Sequence, residues 1–566
     1  MPESCLIPLS TRRARAPQLR SPRGWLPLAA LLAVLVVGCR PTVQTPANPG
    51  QGAAGAQSSE RVFRFAIELL NGLAEFDYVP ITVNQRYNMN VAAADLLNAQ
   101  ALKEVVDRLN QWAIAAKPNA AWQNAAWQRD PLLDTLGDWA ALPAVESLDE
   151  LTFAAGDAVE LRQAIWHREV AESVCRDSTD DLDRARLLFE WVVRNIQLEP
   201  LPDPTEAALP PHMPWQTLLL GRGTALERAW VLMLLARQQG LDIVLLDRPG
   251  GKESLDVSLA ALLLDGELYL FDTRLGLPIP GEGQPVATLS AAAEDDSLLR
   301  RLDAGADHRY PLTAADLAGV VALVEASPAY LSRRMAMLEL QLSGGDKLVL
   351  SVAASPLAER LKQCAHVEDV RLWSLPYSRQ RQQSKLSRPQ RAAQLAEMHP
   401  FVLPFVEIKN NLPYPIAALW KGRVLQLLSA SDGEHGAIHF YQLARVPDTR
   451  LGEHAFMAQQ LLKLPGQQFV EIATRAKQDA SYWLGLTASQ RGDYRTALDY
   501  FGERVLEATP DGPWTAGARF NMGQAYEALG QPDHAIEAYL SDESPQRHGS
   551  LLRARQLESA PAPAPP

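Results

Sequence analysis

Apolar positions along this sequence change period several times, and each change predicts a change of architecture. Between 92 and 115, Ala94, Leu97, Ala101, Val105, Leu109 and Trp112 recur at three- and four-residue steps, one stripe on a long helix. Residues 161–174 repeat the pattern, so 61–175 read as a helical region. Trp112, Trp122, Trp127 and Trp139 fall in it and read as core anchors rather than ligand stackers. A second organisation starts near Asp181. Leu187, Leu188, Trp191, Val192 and Ile196 share one face of a helix over 182–196, and a proline-rich loop follows at 200–214. The run 224–239 is nearly all helix-forming and is closed by Gly240. A strand is predicted over 241–246. Strand–turn–strand is predicted over 262–271, about Asp265-Gly266, a pair that suits a two-residue hairpin. Helices followed by antiparallel strands predict an α+β layout over 176–310.

The region 311–400 reads as a small α/β unit. It would hold a hairpin of 338–342 and 348–352 about Ser343-Gly344-Gly345-Asp346, a helix near 356–363 and a strand at 370–375. The basic, glutamine-rich stretch 379–391 reads as a solvated loop. Residues 401–475 read as helical. In the last third, Tyr482-Trp483-Leu484-Gly485 is matched 38 positions later by Phe520-Asn521-Met522-Gly523. Ala497 then pairs with Ala535, and Phe501 with Tyr539. Small residues at fixed steps let two helices cross closely while an aromatic fills the gap. This spacing resembles tetratricopeptide repeats over 476–545, with a four-residue insertion near Asp511-Gly512-Pro513. Ala437, Tyr441 and Ala444 resemble the second helix of a more divergent copy. The resemblance implies stacked helical hairpins that present a surface to a protein partner.

With 566 residues, the protein is too long for one hydrophobic core, and two to four domains are expected. It is 47% hydrophobic and 21% charged, ordinary for a globular protein, with a net charge of −12. An acidic excess argues against nucleic acid as a partner, because phosphate binding needs a basic face. No CxxC or HExxH pattern occurs. His435 and His439 have metal-capable spacing beside Glu434, but on a predicted helix whose repeat-like residues occupy another face, so neither metal nor cofactor is expected. Cys175 and Cys364 lie far apart and read as buried thiols, with one disulfide as the alternative.

The N-terminus changes the picture of location. Arg12, Arg13, Arg15, Arg20 and Arg23 precede an apolar run over 26–37, which ends in Gly38-Cys39. A basic lead, a dozen apolar residues and then small-Cys is an export signal, too short to span a bilayer. It resembles a bacterial lipobox. The resemblance implies cleavage of 1–38, lipid on Cys39, and a membrane-anchored protein facing the periplasm. Residues 39–60 would form a disordered tether reaching about 25 Å, and 546–566 a disordered tail.

One constellation bears on chemistry. Phe189-Glu190-Trp191-Val192-Val193-Arg194-Asn195-Ile196 comes first. Gly223-Thr224-Ala225-Leu226-Glu227-Arg228-Ala229 and Leu234-Leu235-Ala236-Arg237-Gln238-Gln239-Gly240 follow, and Leu268-Tyr269-Leu270-Phe271-Asp272-Thr273 closes the series. In order and spacing these resemble the transglutaminase-like, papain-related fold over roughly 100 residues. That family needs a cysteine thiolate at a helix N-terminus, a histidine to take its proton and an aspartate to orient the histidine. The spacing of the resemblance puts Ala225 at the cysteine position and Val257 at the histidine position; Asp272 keeps the aspartate. A methyl and an isopropyl group cannot transfer acyl groups, so the domain is expected to have lost the thiol mechanism. Asp272 then reads as a strand-end residue bonding backbone or Arg274. Arg222, Glu227 and Arg228 surround the helix N-terminus, an anion site in principle, though Glu227 and Arg228 read equally as a cap and a salt bridge. The expectation is an envelope-anchored, non-catalytic interaction protein. The alternatives are an envelope enzyme with altered residues and a module that binds cell-wall peptide.

Overall fold

The computed structural model describes residues 50–75, 99–116, 127–201, 212–248, 259–402, 405–409, 412–462 and 465–559. They form a mixed helical and sheet structure. Helices α1 (Gly50–Glu75) and α2 (Ala99–Ala116) pack on α3 (Ala155–Cys175). Of the stripe read from sequence, Val105, Leu109 and Trp112 are buried along α2 and Ala101 partly so; Ala94 and Leu97 lie outside the described residues. Trp127 and Trp139 are only partly buried, against the second core, and Trp122 lies outside the described residues. Helix α1 begins inside the span expected to be a disordered tether. Its apolar residues Ala66, Leu70 and Leu73 are buried, and once such a turn is docked each added residue propagates the helix at little cost.

Asp180 caps α4 (Asp181–Asn195) by accepting from the Asp183 N–H at 2.8 Å. Strand β1 (Gln197–Leu198) pairs in parallel with β2 (Arg222–Gly223), across α5 (Pro214–Leu220), which ends at Gly221 with φ +66°. Helix α6 (Ala225–Gln238) is buried on nearly every face. The strands β3 (Ile243–Asp247), β4 (Leu259–Leu264), β5 (Glu267–Asp272) and β6 (Leu277–Pro278) form an antiparallel ladder. Asp265 and Gly266 turn β4 into β5 with φ of +52° and +83°, the pair of positive values a type I′ hairpin demands.

The separate α/β unit expected over 311–400 does not stand apart. Strand β7 (Val320–Val324) pairs antiparallel with β3 and parallel with β8 (Val367–Leu372), giving one six-stranded sheet ordered β6-β5-β4-β3-β7-β8. All five residues of β7 are buried, so its backbone has to be paired on both sides. Alternate residues serve two cores. Ile243, Leu245, Ala260, Leu262, Val321 and Leu323 face α6, whereas Val244, Leu246, Leu259, Ala261, Ala322 and Val324 face a layer of short helices. The hairpin expected over 338–352 is also absent. Arg333–Glu339 is helical, capped by Ser332, because Met335 and Leu338 bury at a helical step. The following extended segment gives its N–H groups to side chains: Leu350 N to Glu339 Oε2 at 2.8 Å and Val349 N to Gln238 Oε1 at 3.1 Å. The predicted basic loop at 379–391 is helical on both sides of a short break, from Leu375–Ser384 into α7 (Arg388–Val402); Arg, Gln and Lys are good helix formers.

Strands β9 (Phe405–Lys409) and β10 (Leu412–Ile416) form a hairpin ladder. The rest is helical: α8 (Ala418–Leu427), α9 (Ala437–Ala444), α10 (Leu451–Leu462), α11 (Gly466–Gln490), α12 (Tyr494–Asp499, continuing through Tyr500–Glu507), α13 (Thr515–Ala528), α14 (Pro532–Leu540) and α15 (Arg547–Ser559). Helix α15 stands where a disordered tail was expected, over Arg547–Ser559; 560–566 lie outside the described residues. Leu552 and Ala554 bury, and Gly549 lies against the turn after β5. His435 sits in the turn before α9, so it does not share a helix with His439. Among the described residues no helix is long and apolar enough to cross a membrane.

The sequence pairs have a packing reason. A Cβ on Gly485 would lie 2.6 Å from the Phe501 ring, and one on Gly523 would lie 2.5 Å from the Tyr539 ring. Gly422 repeats the arrangement against Tyr441 at 2.7 Å, a third hairpin of the same kind. Ala437, Ala497 and Ala535 are fully buried beside these contacts. Gly485→Ala and Gly523→Ala are each expected to lower stability by about 1–3 kcal/mol through overpacking. Gly502→Ala, with only Met522 Cε at 4.0 Å, should change little. Urea midpoints of the three variants check this.

Candidate functional site

The position where the family resemblance expects sulfur is at the start of α6. Thr224 is the N-cap, and its side chain accepts from Glu227 N while Glu227 Oε2 accepts from Thr224 N at 2.8 Å. The other Glu227 oxygen accepts from His212 N at 2.8 Å. Ala225 follows, half-buried, and its carbonyl accepts from Thr273 Oγ1 at 2.8 Å. Two N–H groups at the start of α6, those of Thr224 and Glu227, are thus taken by protein side chains. Val257 and Cys39 lie outside the described residues. Cys175 and Cys364 are free and buried, and neither sits at this helix end. Burial pushes the Cys175 thiol up to about 11 and raises that of Cys364, the opposite of what activates a thiolate.

The three residues considered as cleft binders do gather here, each with protein partners. Arg222 donates from Nη2 to Glu397 Oε1 at 2.6 Å and lies 3.5 Å from Glu199. Glu227 is only 3% exposed and forms the cap just described. Arg228 makes no salt bridge among the described residues and is buried rather than open to a ligand. Its Nε donates to Ile196 O at 2.8 Å and its Nη1 to Thr273 O at 3.2 Å. Its Nη2 reaches Ile196 O at 2.5 Å, Val193 O at 3.3 Å and Gln546 Oε1 at 2.8 Å. Burial pushes its pKa down to about 9. The guanidinium completes the carbonyl end of α4 and ties it to the segment that leads into α15.

The C-terminal helices cover this end of α6. Gln197 donates to Pro513 O at 2.8 Å and accepts from Gly517 N at 2.7 Å. Asn521 donates to Arg194 O at 3.2 Å, Arg194 to Gln524 at 2.9 Å, and Arg423 to Leu218 O at 2.8 Å. The gap left beside Arg228 and Tyr482 is about 10 Å³, room for no more than a single water. Sequence reading missed this covering, since no periodicity reports which helix faces another domain.

His212 and Glu397 form a buried pair beside Arg222, with Nε2 3.2 Å from Oε2. Burial alone would lower the His212 pKa, but the Glu397 hydrogen bond and charge raise it above its ordinary value. Burial likewise works to raise Glu397, and His212 and Arg222 pull it below the usual carboxylate range. A raised histidine contributes stability that is full below about pH 6.5 and is lost as pH rises through the folded pKa. A depressed glutamate contributes stability that is full above about pH 4.3 and is lost on acidification through its folded pKa. Both contributions are whole only between those values. In His212→Gln, the fall in Tm that the parent shows above pH 6.5 should be reduced. Equal slopes in parent and variant would show that the pair is not coupled to folding.

Asp272 ends β5. Its Oδ1 accepts from Arg274 N at 2.8 Å and Leu275 N at 2.9 Å, which shapes the turn. The backbone of Arg274, not its guanidinium, is the partner. Its Oδ2 accepts from the Tyr310 hydroxyl at 2.8 Å. Tyr310 is not singled out by the sequence, and no local signal marks it. Burial raises both pKa values, keeping the phenol a donor. Among the described residues no group of three metal-ligating side chains occurs. No family model, curated protein or solved structure matches the protein, so the site is read from these contacts alone.

Proposed function

We propose that the protein is an envelope-anchored, non-catalytic interaction protein, lipidated at Cys39. In this reading a transglutaminase-like core has lost its thiol and imidazole, and tetratricopeptide-like hairpins hold the core and offer the remaining surface to a protein partner. The observation that carries the reading is the start of α6. A methyl group stands at Ala225, the N–H groups of Thr224 and Glu227 are taken by each other's side chains, and Gln546, beside the last helix, bonds Arg228 in the first turns. The described thiols are buried elsewhere with raised pKa values. The acidic balance of the sequence supports a protein partner over nucleic acid.

One observation favours a second reading, an envelope enzyme with altered residues. The Tyr310 hydroxyl bonds the Asp272 carboxylate, the group that the family resemblance would pair with an imidazole. A buried phenol with a raised pKa donates a hydrogen bond but does not ionise to attack or abstract, so the first reading is preferred. The test is release of ammonia from glutamine peptides and cleavage of cell-wall stem peptides by the intact protein. Rates at background are expected. Turnover that disappears in Asp272→Asn would overturn the non-catalytic reading.

A further inference from the structure

A cavity of about 320 Å³ opens between the turn after β5, the segment 307–312 and the start of α15. That is the lower end of the range for small-molecule sites, roughly 300–1,000 Å³. Its charge is opposite to that of the whole protein. Arg274, Arg309 and Arg547 line it with His308 and His548, against Asp272 and Asp307. Asp272 already accepts three hydrogen bonds, from two backbone N–H groups and the Tyr310 hydroxyl. Asp307 is exposed, at the rim. Arg274 and Arg309 are exposed too and make no ion pair among the described residues. Arg547 donates from Nη1 to Asp542 O at 2.6 Å, a bond to a neutral carbonyl that positions the charge without neutralising it. His548 is held by a hydrogen bond from Nε2 to Leu302 O at 2.7 Å, and its ring centre is 5.8 Å from that of His308.

Three arginines lining one concave wall, in a protein with net charge −12, are not explained by general solubility. Concave low-dielectric walls focus the field of like charges and raise the local concentration of counter-ions. The planar guanidinium fork matches two oxygens of a carboxylate or phosphate. We propose that this cavity binds a small polyanion whose carboxylate or phosphate groups are gripped by Arg274, Arg309 and Arg547. The ligand would bridge the turn after β5 and the last helix. The inference goes beyond the scaffold reading and does not need it, because no residue of the capped start of α6 lines the cavity.

Citrate and pyrophosphate serve as probes, titrated calorimetrically into the intact protein at constant ionic strength. Saturable binding of at least one is expected; citrate alone assigns carboxylate, pyrophosphate alone assigns phosphate, and both assign an oxyanion site of either kind. Arg274→Gln/Arg309→Gln should weaken binding at least tenfold while far-UV circular dichroism and Tm stay unchanged, since both side chains are exposed. Arg495→Gln, exposed on α12 and outside the cavity lining, should bind like the parent. No saturable binding of either probe, or equal affinity in the double variant, overturns the proposal. Either result leaves the non-catalytic reading standing, since that reading is tested by turnover.

Discussion

Replacing Arg228 with methionine is expected to lower stability by about 3–5 kcal/mol, the largest effect of any single side chain near the start of α6. The guanidinium is 1% exposed and all of its nitrogens have acceptors. Two of those acceptors are Val193 O, in the last turn of α4 where carbonyls lack a partner within the helix, and Ile196 O, on the residue that ends it. A positive charge there also complements the negative end of the helix. Methionine fills comparable volume but donates nothing, so several buried carbonyls lose their donors at about 1–3 kcal/mol each, reduced by relaxation. Arg222→Gln should cost less, because Arg222 is half-buried and its partner Glu397 keeps His212. Urea unfolding monitored by tryptophan fluorescence measures both. A loss below about 1 kcal/mol for Arg228→Met would mean that its contacts are not structural, and would return the residue to the pool of ligand binders.

Gly549→Ala is expected to undock α15. A Cβ at this position would lie 1.8 Å from Leu275 O. Both groups are backbone, so no side-chain rotation relieves the overlap, and the helix must move away from the turn after β5. That turn is itself tightly made: Gly276 has φ +69° and a Cβ there would meet Gln546 Nε2 at 2.8 Å. Moving α15 also withdraws Gln546 from Arg228 and shifts Arg547 and His548 away from the polyanion cavity. The expected result is tryptic cleavage at Arg547, Arg553 and Arg555 in the folded variant under conditions where the parent resists, together with loss of citrate or pyrophosphate binding. Resistance equal to the parent's would show that α15 is not held by this contact.

These two residues mark where local reading stops. The Pro-Ala run that ends the sequence leads 546–566 to read as a tail; α15 exists because Leu552 and Ala554 meet the core. Arg228 reads as half of a salt bridge because nothing in the sequence places Ile196 and Gln546 on either side of it. The repeat glycines are legible for the opposite reason. Gly485 and Phe501, or Gly523 and Tyr539, are separated by one helical hairpin, so their contact is a property of the segment and recurs with it.

Burial of one face at steps of 3.6 or 2 residues needs no distant partner; it placed α4 and the β4–β5 hairpin to within a few residues and found α2 and α3 with less exact starts. The lack of sulfur at Ala225 is likewise a fact of covalent structure that no packing can alter. What needed the tertiary structure is everything joined across long sequence separations. The sheet takes β7 and β8 as its own. Tyr310 reaches Asp272 across 38 residues, and Gln546 reaches Arg228 across 318. Such pairings are selected by which buried donors and charges remain unsatisfied once the local elements have formed, a condition that exists only in the assembled molecule.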